Sequence, residues 1–457
     1  MDAILSLVET LNQYLWNYLL LAALVGTGVY FTIRLGFVQV RKLGQGLKFT
    51  LGGLTLRGEK ADHQGMSSFQ ALATAVAGQV GTGTIAGAAT AIVSGGPGAV
   101  FWMWVSAFFG MATNYAEAVL AQKFRTTDEN GKAVGGPAYY IRAAFPNRFG
   151  KVLAGFFSAA LILALGFMGN MVQSNSISDA MYNAFGAPKI VVGVAVALVA
   201  GFIFLGGVQR IVSVTEKLVP VMALLYIGGG AAVILGNLPR LPDALTLMLR
   251  CAFAPEAALG GALGTITRRS AIRWGIARGV FSNEAGLGSA AMTAACADTE
   301  SPVRQGLISM TGVFFDTTVI CTVTGLAICC SGVLGLPDAH GEALTGAALT
   351  IRAFGTVLGP WAGWLVSVSL GLFAFTSVLG CAVQAETVVS FLLGRAAVPP
   401  CRVLYGLAVL GGAVLPMETV LQLADLSNAL MALPNLACLI LLSGEVAADC
   451  RKFRPEK

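Results

Sequence analysis

The sequence predicts an all-α, polytopic transmembrane bundle of about eleven spans, and three observations carry that reading. Apolar residues come in runs of about 20 or more, the length a helix needs to cross a bilayer. Only 11% of the residues are charged, where a soluble domain carries roughly a quarter. Mean hydropathy is +0.76, with 56% of the chain hydrophobic. Together these exclude a water-soluble enzyme, a disordered chain and a β-barrel. The net charge of +6 does not mark a nucleic-acid surface, because Lys and Arg cluster in the loops between apolar runs, where they act as topology signals. Nine cysteines, an odd number lying mostly inside apolar runs and without CxxC spacing, imply neither a disulfide framework nor a zinc site. The N-terminal MDAILSLVETLNQYLW has no basic stretch before its first apolar run, so no cleaved signal peptide is expected.

The first run, 11–36, is followed by Arg41, Lys42, Lys48, Arg57 and Lys60, with nothing basic before it. The positive-inside rule therefore puts the N-terminus outside and the first loop in the cytoplasm. Runs two and three, about 66–94 and 99–122, are joined by a tight SGGPG turn and form a hairpin; Lys123, Arg125, Lys132, Arg142, Arg148 and Lys151 follow it. Further runs lie near 152–173, 190–207, 218–236, 271–297, 306–335, 361–388, 403–415 and 419–442. An odd count returns the C-terminus to the cytoplasm, as Arg451, Lys452, Arg454 and Lys457 also indicate. Arg268, Arg269, Arg273 and Arg278 fit this scheme poorly, since they precede the seventh span on the expected outer side; they are read as a short interfacial piece.

Two spans carry glycine interruptions. AGQVGTGTIAG places Gly78, Gly81, Gly83 and Gly87 in mid-span, and FSNEAGLGSA places Gly286 and Gly288 beside Ser282, Asn283 and Glu284. Unwound backbone in hydrocarbon costs several kcal/mol per unsatisfied group, so it persists only where a cavity, an ion or a polar ligand satisfies it. Glycines are also common on packing faces of membrane helices, which suffices for Gly87, Gly95 or Gly312 alone. Two interrupted helices, each opening a five-span block, instead mark an inverted-repeat transporter site. Freed N–H groups at a half-helix N-terminus suit a carboxylate, and carbonyls at the opposing C-terminus suit an ammonium group or a sodium ion.

These residues resemble the alanine or glycine:cation symporters, which share the LeuT-type fold with the neurotransmitter:sodium symporters. The resemblance runs in order through FQALATAVAGQVGTGTIAG, SGGPGAVFWMW, GGPAYYI, GNMVQSNSI, RGVFSNEAGLGSA, PVRQGL, FFDTTVICTVTG, LFAFTSVLG and DLSNALMALPNL. It implies a single transporter domain, 1–457, with an additional span at 11–36, inverted repeats at 66–236 and 271–442, and a cytoplasmic tail at 443–457. It also implies a multi-pass protein of the bacterial inner membrane that imports sodium with a small neutral amino acid.

By the same resemblance, VGTGT at Val80 to Thr84 and FTSVL around Thr376 and Ser377 imply a sodium site. Its ligands are the carbonyls of Ala77, Val80 and Phe373 and the hydroxyls of Thr376 and Ser377, although those hydroxyls could equally bond back to a preceding helical carbonyl. The backbone N–H groups of Thr82 and Gly83 are expected to hold the substrate carboxylate. Gln173, Ser282 and Asn283 are expected as polar pocket walls and Phe281 as an apolar wall or gate; for Gln173 an interhelical hydrogen bond is the alternative. Two departures stand out. Thr84 occupies a position where the family usually has Asn, which puts a second sodium in doubt, and VLGC puts Cys381 where the family often has Trp, which leaves room for a neutral amino acid larger than alanine.

Asp316 and Asp425 lie in spans eight and eleven, where a carboxylate is costly unless paired or protonated. Asp316 is a functional candidate or a helix brace beside Thr317 and Thr318. Glu284 is a candidate to hold unwound N–H groups, and Glu117 to be solvated or paired with a loop Arg. The leading function is sodium-coupled symport; proton coupling on the same fold and an intramembrane hydrolase built on Asp316 and Asp425 are the alternatives, and a channel is a further one. The hydrolase lacks a surrounding catalytic motif, His63 and His340 lie in loops and form no HExxH site, and no GxxxxGK motif supports ATP-driven pumping.

Overall fold

Long apolar runs fold here into long helices because only internal hydrogen bonding satisfies the backbone in lipid. The computed structural model describes residues 2–52, 68–128, 131, 133–254, 266–337 and 343–453. Arg57, Lys60, His63, Lys132, His340, Arg454 and Lys457 lie outside the described residues. Among the described residues six helices are long and apolar enough to cross a membrane, and a bent pair, Leu72–Gln79 with Gly83–Gly95, meets the same test when taken together and is kinked by 47°. Shorter apolar helices, Leu20–Arg34, Lys189–Leu205 and Gly346–Leu358, accompany them.

Burial sorts the helices. Trp361–Leu393 is the most enclosed of the candidate spans and forms the centre of the bundle. It meets the first broken helix backbone to backbone: a Cβ on Gly380 would stand 2.7 Å from the Cα of Gly78, so glycine is required at this crossing. Peripheral helices turn large apolar side chains outward, as in Lys189–Leu205, where Leu198, Phe202 and Leu205 are exposed. That is the expected lipid-facing surface, since apolar side chains need no cover in a bilayer.

Both glycine-rich interruptions are breaks. The first helix runs Ser68–Gln79, loses regular winding at Val80 to Thr82, and resumes through a wide π-type turn, Gly83–Gly87, into Ala88–Gly95. The second runs Arg268–Asn283, breaks across Glu284 to Gly288, and resumes as Ser289–Ala295. Gly286 and Gly288 have φ of +91° and +86°, left-handed backbone that glycine adopts without strain. The four arginines are therefore not a separate interfacial piece: Arg268, Arg269, Arg273 and Arg278 lie on the first three turns of the second broken helix itself. Further π-type turns at Ile162–Gly169 and Phe314–Cys321 widen two neighbouring helices at the level of the breaks. The tail also departs from a plain extension, because Ser443–Lys452 is helical and docks through Lys123, whose Nζ lies 2.8 Å from Glu445 and 2.9 Å from Asp449.

Candidate functional site

The two breaks open on one small cavity of about 30 Å³, room for about one water. Gly81 and Gly83 of the first break, Phe281, Glu284 and Leu287 of the second, and Gln173, Cys381 and Asn428 from three other helices line it. Glycine is what lets the walls come this close. A Cβ on Gly81 would stand 2.5 Å from Ser377 Oγ and 2.9 Å from Gln173 Nε2, and one on Gly83 would lie 3.1 Å from Ser282 Cα.

Gln173 reaches into the first break, where its Oε1 accepts the Thr82 backbone N–H at 3.1 Å. The Thr84 hydroxyl donates to the Gly81 carbonyl at 2.6 Å, and the Thr84 carbonyl accepts from the Thr324 hydroxyl at 3.0 Å. Thr84 thus ties off the unwound segment with one local bond and one from the distant Thr324. On the far side of the same segment, the Ser377 hydroxyl donates toward the carbonyls of Val80 at 3.4 Å and Phe373 at 3.1 Å, and the Thr376 hydroxyl donates to Phe373 at 2.9 Å. The structure therefore gathers the oxygens of Val80, Phe373, Thr376 and Ser377 at one buried point. Ala77 lies at the neighbouring crossing of the same two helices, its carbonyl carbon 3.3 Å from the Cβ position of Gly380. The hydroxyls also make the back-bonds that helical Thr and Ser commonly make.

Ser282 and Asn283 point elsewhere. Ser282 donates to Asp316 at 3.0 Å, Asn283 donates to Thr317 at 3.1 Å, and Thr317 donates to Asp316 at 2.7 Å, so the pair joins the second broken helix to Phe314–Cys321. Asp316 is fully buried and braces two helices. Asp425 has a separate partner, the Arg278 guanidinium at 2.8 Å, so the two aspartates form no catalytic dyad. Arg278 also stands over the ring of Phe281, 5.2 Å from its centroid. The pair and the ring together lie on the Arg268 side of the cavity.

The cover of the second break comes from residues that sequence reasoning placed differently. Glu117 is neither solvated nor paired with a loop arginine: it is fully buried, and its Oε1 accepts the Gly288 N–H at 3.0 Å and the Asn435 amide at 2.6 Å. Asn435 donates as well to the Gly286 carbonyl at 2.9 Å and accepts from the Tyr140 hydroxyl. Glu284 does not hold backbone N–H groups but accepts the Ser289 hydroxyl at 2.5 Å, from a left-handed conformation with φ +56°. Gln79 and Asn428, both on the cavity, also escaped the sequence reading. The polar residues of DLSNALMALPNL inside an apolar run were the available signal.

A bundle with two broken helices meeting at a mid-bundle cavity defines a membrane transporter of the LeuT type, not an enzyme. Solved structures share this fold. MhsT, solved in complex with L-phenylalanine, superposes with a TM-score of 0.63 at 15% identity, covering 86% of this chain and 94% of that one. A Na⁺-coupled sialic acid symporter superposes at 0.54 with 12% identity, covering 88% and 82%. The sodium:alanine symporter family model matches residues 1–457, and the chain belongs to that family. Among relatives, the sodium/alanine symporter AgcS of Methanococcus maripaludis is 42% identical over 98% of this chain and 97% of its own. The probable sodium/glutamine symporter GlnT of Bacillus subtilis is 39% identical over 99% and 91%. The chain is thus a multi-pass sodium-coupled amino-acid symporter by family and fold.

Proposed function

We propose that this protein imports a small neutral amino acid, of the alanine and glycine class or somewhat larger, together with sodium by alternating access. The convergence of both breaks on one cavity carries this reading. The N–H groups of Thr82 and Gly83 receive the substrate carboxylate, Gln173 giving up its bond to Thr82 when substrate docks. Phe281 forms an apolar wall, and Ser282 and Asn283 hold the second break in place through Asp316 and Thr317. Sodium is held by the carbonyls of Ala77, Val80 and Phe373 with Thr376 and Ser377, hard oxygen donors without a fixed charge. Cys381, with Gly169 and Ala164 beside it on the cavity, leaves a small-residue wall that favours substrates beyond alanine. The relatives' names, one a sodium/alanine symporter and one a probable sodium/glutamine symporter, support a neutral amino acid as the cargo.

The basic residues Lys42, Lys123, Arg125, Arg304 and Lys452 gather at one end of the bundle, which the positive-inside rule assigns to the cytoplasm. Arg278, Asp425 and the start of the chain then face outside, with 66–236 and 271–442 as the two repeats between. One sodium ion entering gains about 2.3 kcal/mol per 100 mV plus about 1.4 kcal/mol for a tenfold gradient, enough for several-hundred-fold accumulation.

The deciding experiment is uptake into proteoliposomes across a panel of neutral amino acids, with a sodium gradient, a proton gradient or neither. Accumulation with sodium alone is expected. Equal accumulation driven by protons alone overturns the ion assignment, and no accumulation under any gradient overturns the transport reading.

A further inference from the structure

Asp425 is held twice. Its carboxylate meets Arg278 at 2.8 Å, and its backbone carbonyl accepts the indole N–H of Trp16 at 3.2 Å. One turn earlier on the same helix, the Gln422 carbonyl accepts the Asn12 amide at 2.7 Å. A helical carbonyl has two lone pairs, so each of these bonds adds to the helix's own ladder without breaking it. Trp16 is 5% exposed, buried in the same apolar cluster as Leu20, Val280 and Leu436. The N-terminal segment also touches the partner helix of the ion pair, where the Arg269 guanidinium lies 5.2 Å from the ring centroid of Tyr18. Asn12, Trp16 and Tyr18 therefore bridge the two helices that supply Asp425 and Arg278.

That bridge stands next to the cavity. Ala424 and Asn428, which flank Asp425 in sequence, line it, as does Phe281 beneath Arg278. A shift of the 417–441 helix that parted Asp425 from Arg278 would move this wall and uncover the Phe281 ring. We infer that Trp16 is a positioning residue for the closure: by holding the Asp425 carbonyl, the N-terminal segment keeps the Arg278 and Asp425 ion pair shut over the cavity. This rests on the transport reading and orientation proposed above. The segment lies outside the ten helices expected to form the two repeats, so it supplies a fixed point against which the 417–441 helix closes.

Cys381 lines the cavity and serves as a native reporter of access. Intact cells are exposed to a membrane-impermeant maleimide, and modification of Cys381 is followed by peptide mass mapping, which separates it from the other cysteines. Asp425→Asn, which weakens the ion pair, is expected to speed modification at least threefold. Trp16→Phe keeps an aromatic ring at the position but removes the N–H donor and is expected to do the same, with no further increase in the double variant. Faster modification with Asp425→Asn but not with Trp16→Phe overturns the brace, and an additive double variant does so too, since it signals general loosening. An unchanged rate with Asp425→Asn overturns the closure on which the brace depends. Absence of sodium-dependent uptake by the wild-type protein, measured in parallel, falls instead on the transport reading. If Trp16→Phe fails to fold, Asn12→Ala carries the same comparison, with a smaller acceleration expected and an unchanged rate overturning the brace.

Discussion

Glu117 and Gly288 stand 171 residues apart in sequence, and the carboxylate of the first accepts the backbone N–H of the second at 3.0 Å. The N–H belongs to the break that starts Ser289–Ala295, where no preceding turn can supply an acceptor. A buried carboxylate is thus placed where a helix N-terminus would otherwise be left unsatisfied.

Removing that acceptor is costly. Glu117→Ala leaves the Gly288 N–H without its partner and removes one of two acceptors from Asn435. A buried donor left unpaired costs about 1–3 kcal/mol, so thermal stability in detergent is expected to fall well below wild type. Glu117→Gln keeps an acceptor oxygen and is expected to lose less. Equal melting temperatures for wild type and Glu117→Ala would contradict the capping role.

Substitution at the first break tests the substrate end of the site. In Gly83→Val the new Cβ would lie 3.1 Å from Ser282 Cα and 3.3 Å from Phe281 Cδ1, before the two methyl groups are added. Binding of amino acid is expected to be lost while the protein still inserts into the membrane. Gly81→Ala is expected to be at least as severe, because its Cβ would meet Ser377 and Gln173 at once. Equilibrium binding of a labelled neutral amino acid checks both, and near-normal affinity in Gly83→Val would move the substrate away from the break.

The ion end is tested by replacing Thr376 and Ser377 together with Ala. Two hydroxyl ligands vanish, whereas the carbonyls of Ala77, Val80 and Phe373 remain. The sodium concentration for half-maximal uptake is expected to rise at least tenfold, since the two side-chain oxygens proposed to coordinate the ion are gone. Uptake titrated against sodium measures it. An unchanged value in a folded variant would leave the pair with back-bonding to Phe373 as its whole role.

Size selection is tested at Cys381, whose Sγ lies 3.5 Å from the Cβ position of Gly169 on the cavity wall. A methylene's worth of fit in an apolar pocket changes affinity by about 1–3 kcal/mol. Cys381→Trp is expected to shift preference toward glycine and alanine, and Cys381→Ala to retain the wild-type order. Competition assays with thermal stability measured alongside separate this from overpacking, which would lower stability without reordering substrates.

The apolar runs and the paired glycine interruptions determined the membrane bundle and the position of both breaks, because length, hydropathy and the absence of a side chain are local properties. Gln173, Phe281 and Cys381, which line the cavity, were named through the family resemblance and not through any local property of the chain. The tertiary structure alone decided the partners. Nothing near Arg278 in the chain announces Asp425, and of the four arginines on that helix Arg278 is the buried one, paired with Asp425. Nor does the chain around Glu117 announce Gly288 and Asn435, or that around Trp16 the carbonyl of Asp425. Buried charges and unwound backbone must find acceptors and donors, but which ones they find depends on helices brought together from hundreds of residues away, and that is a property of packing.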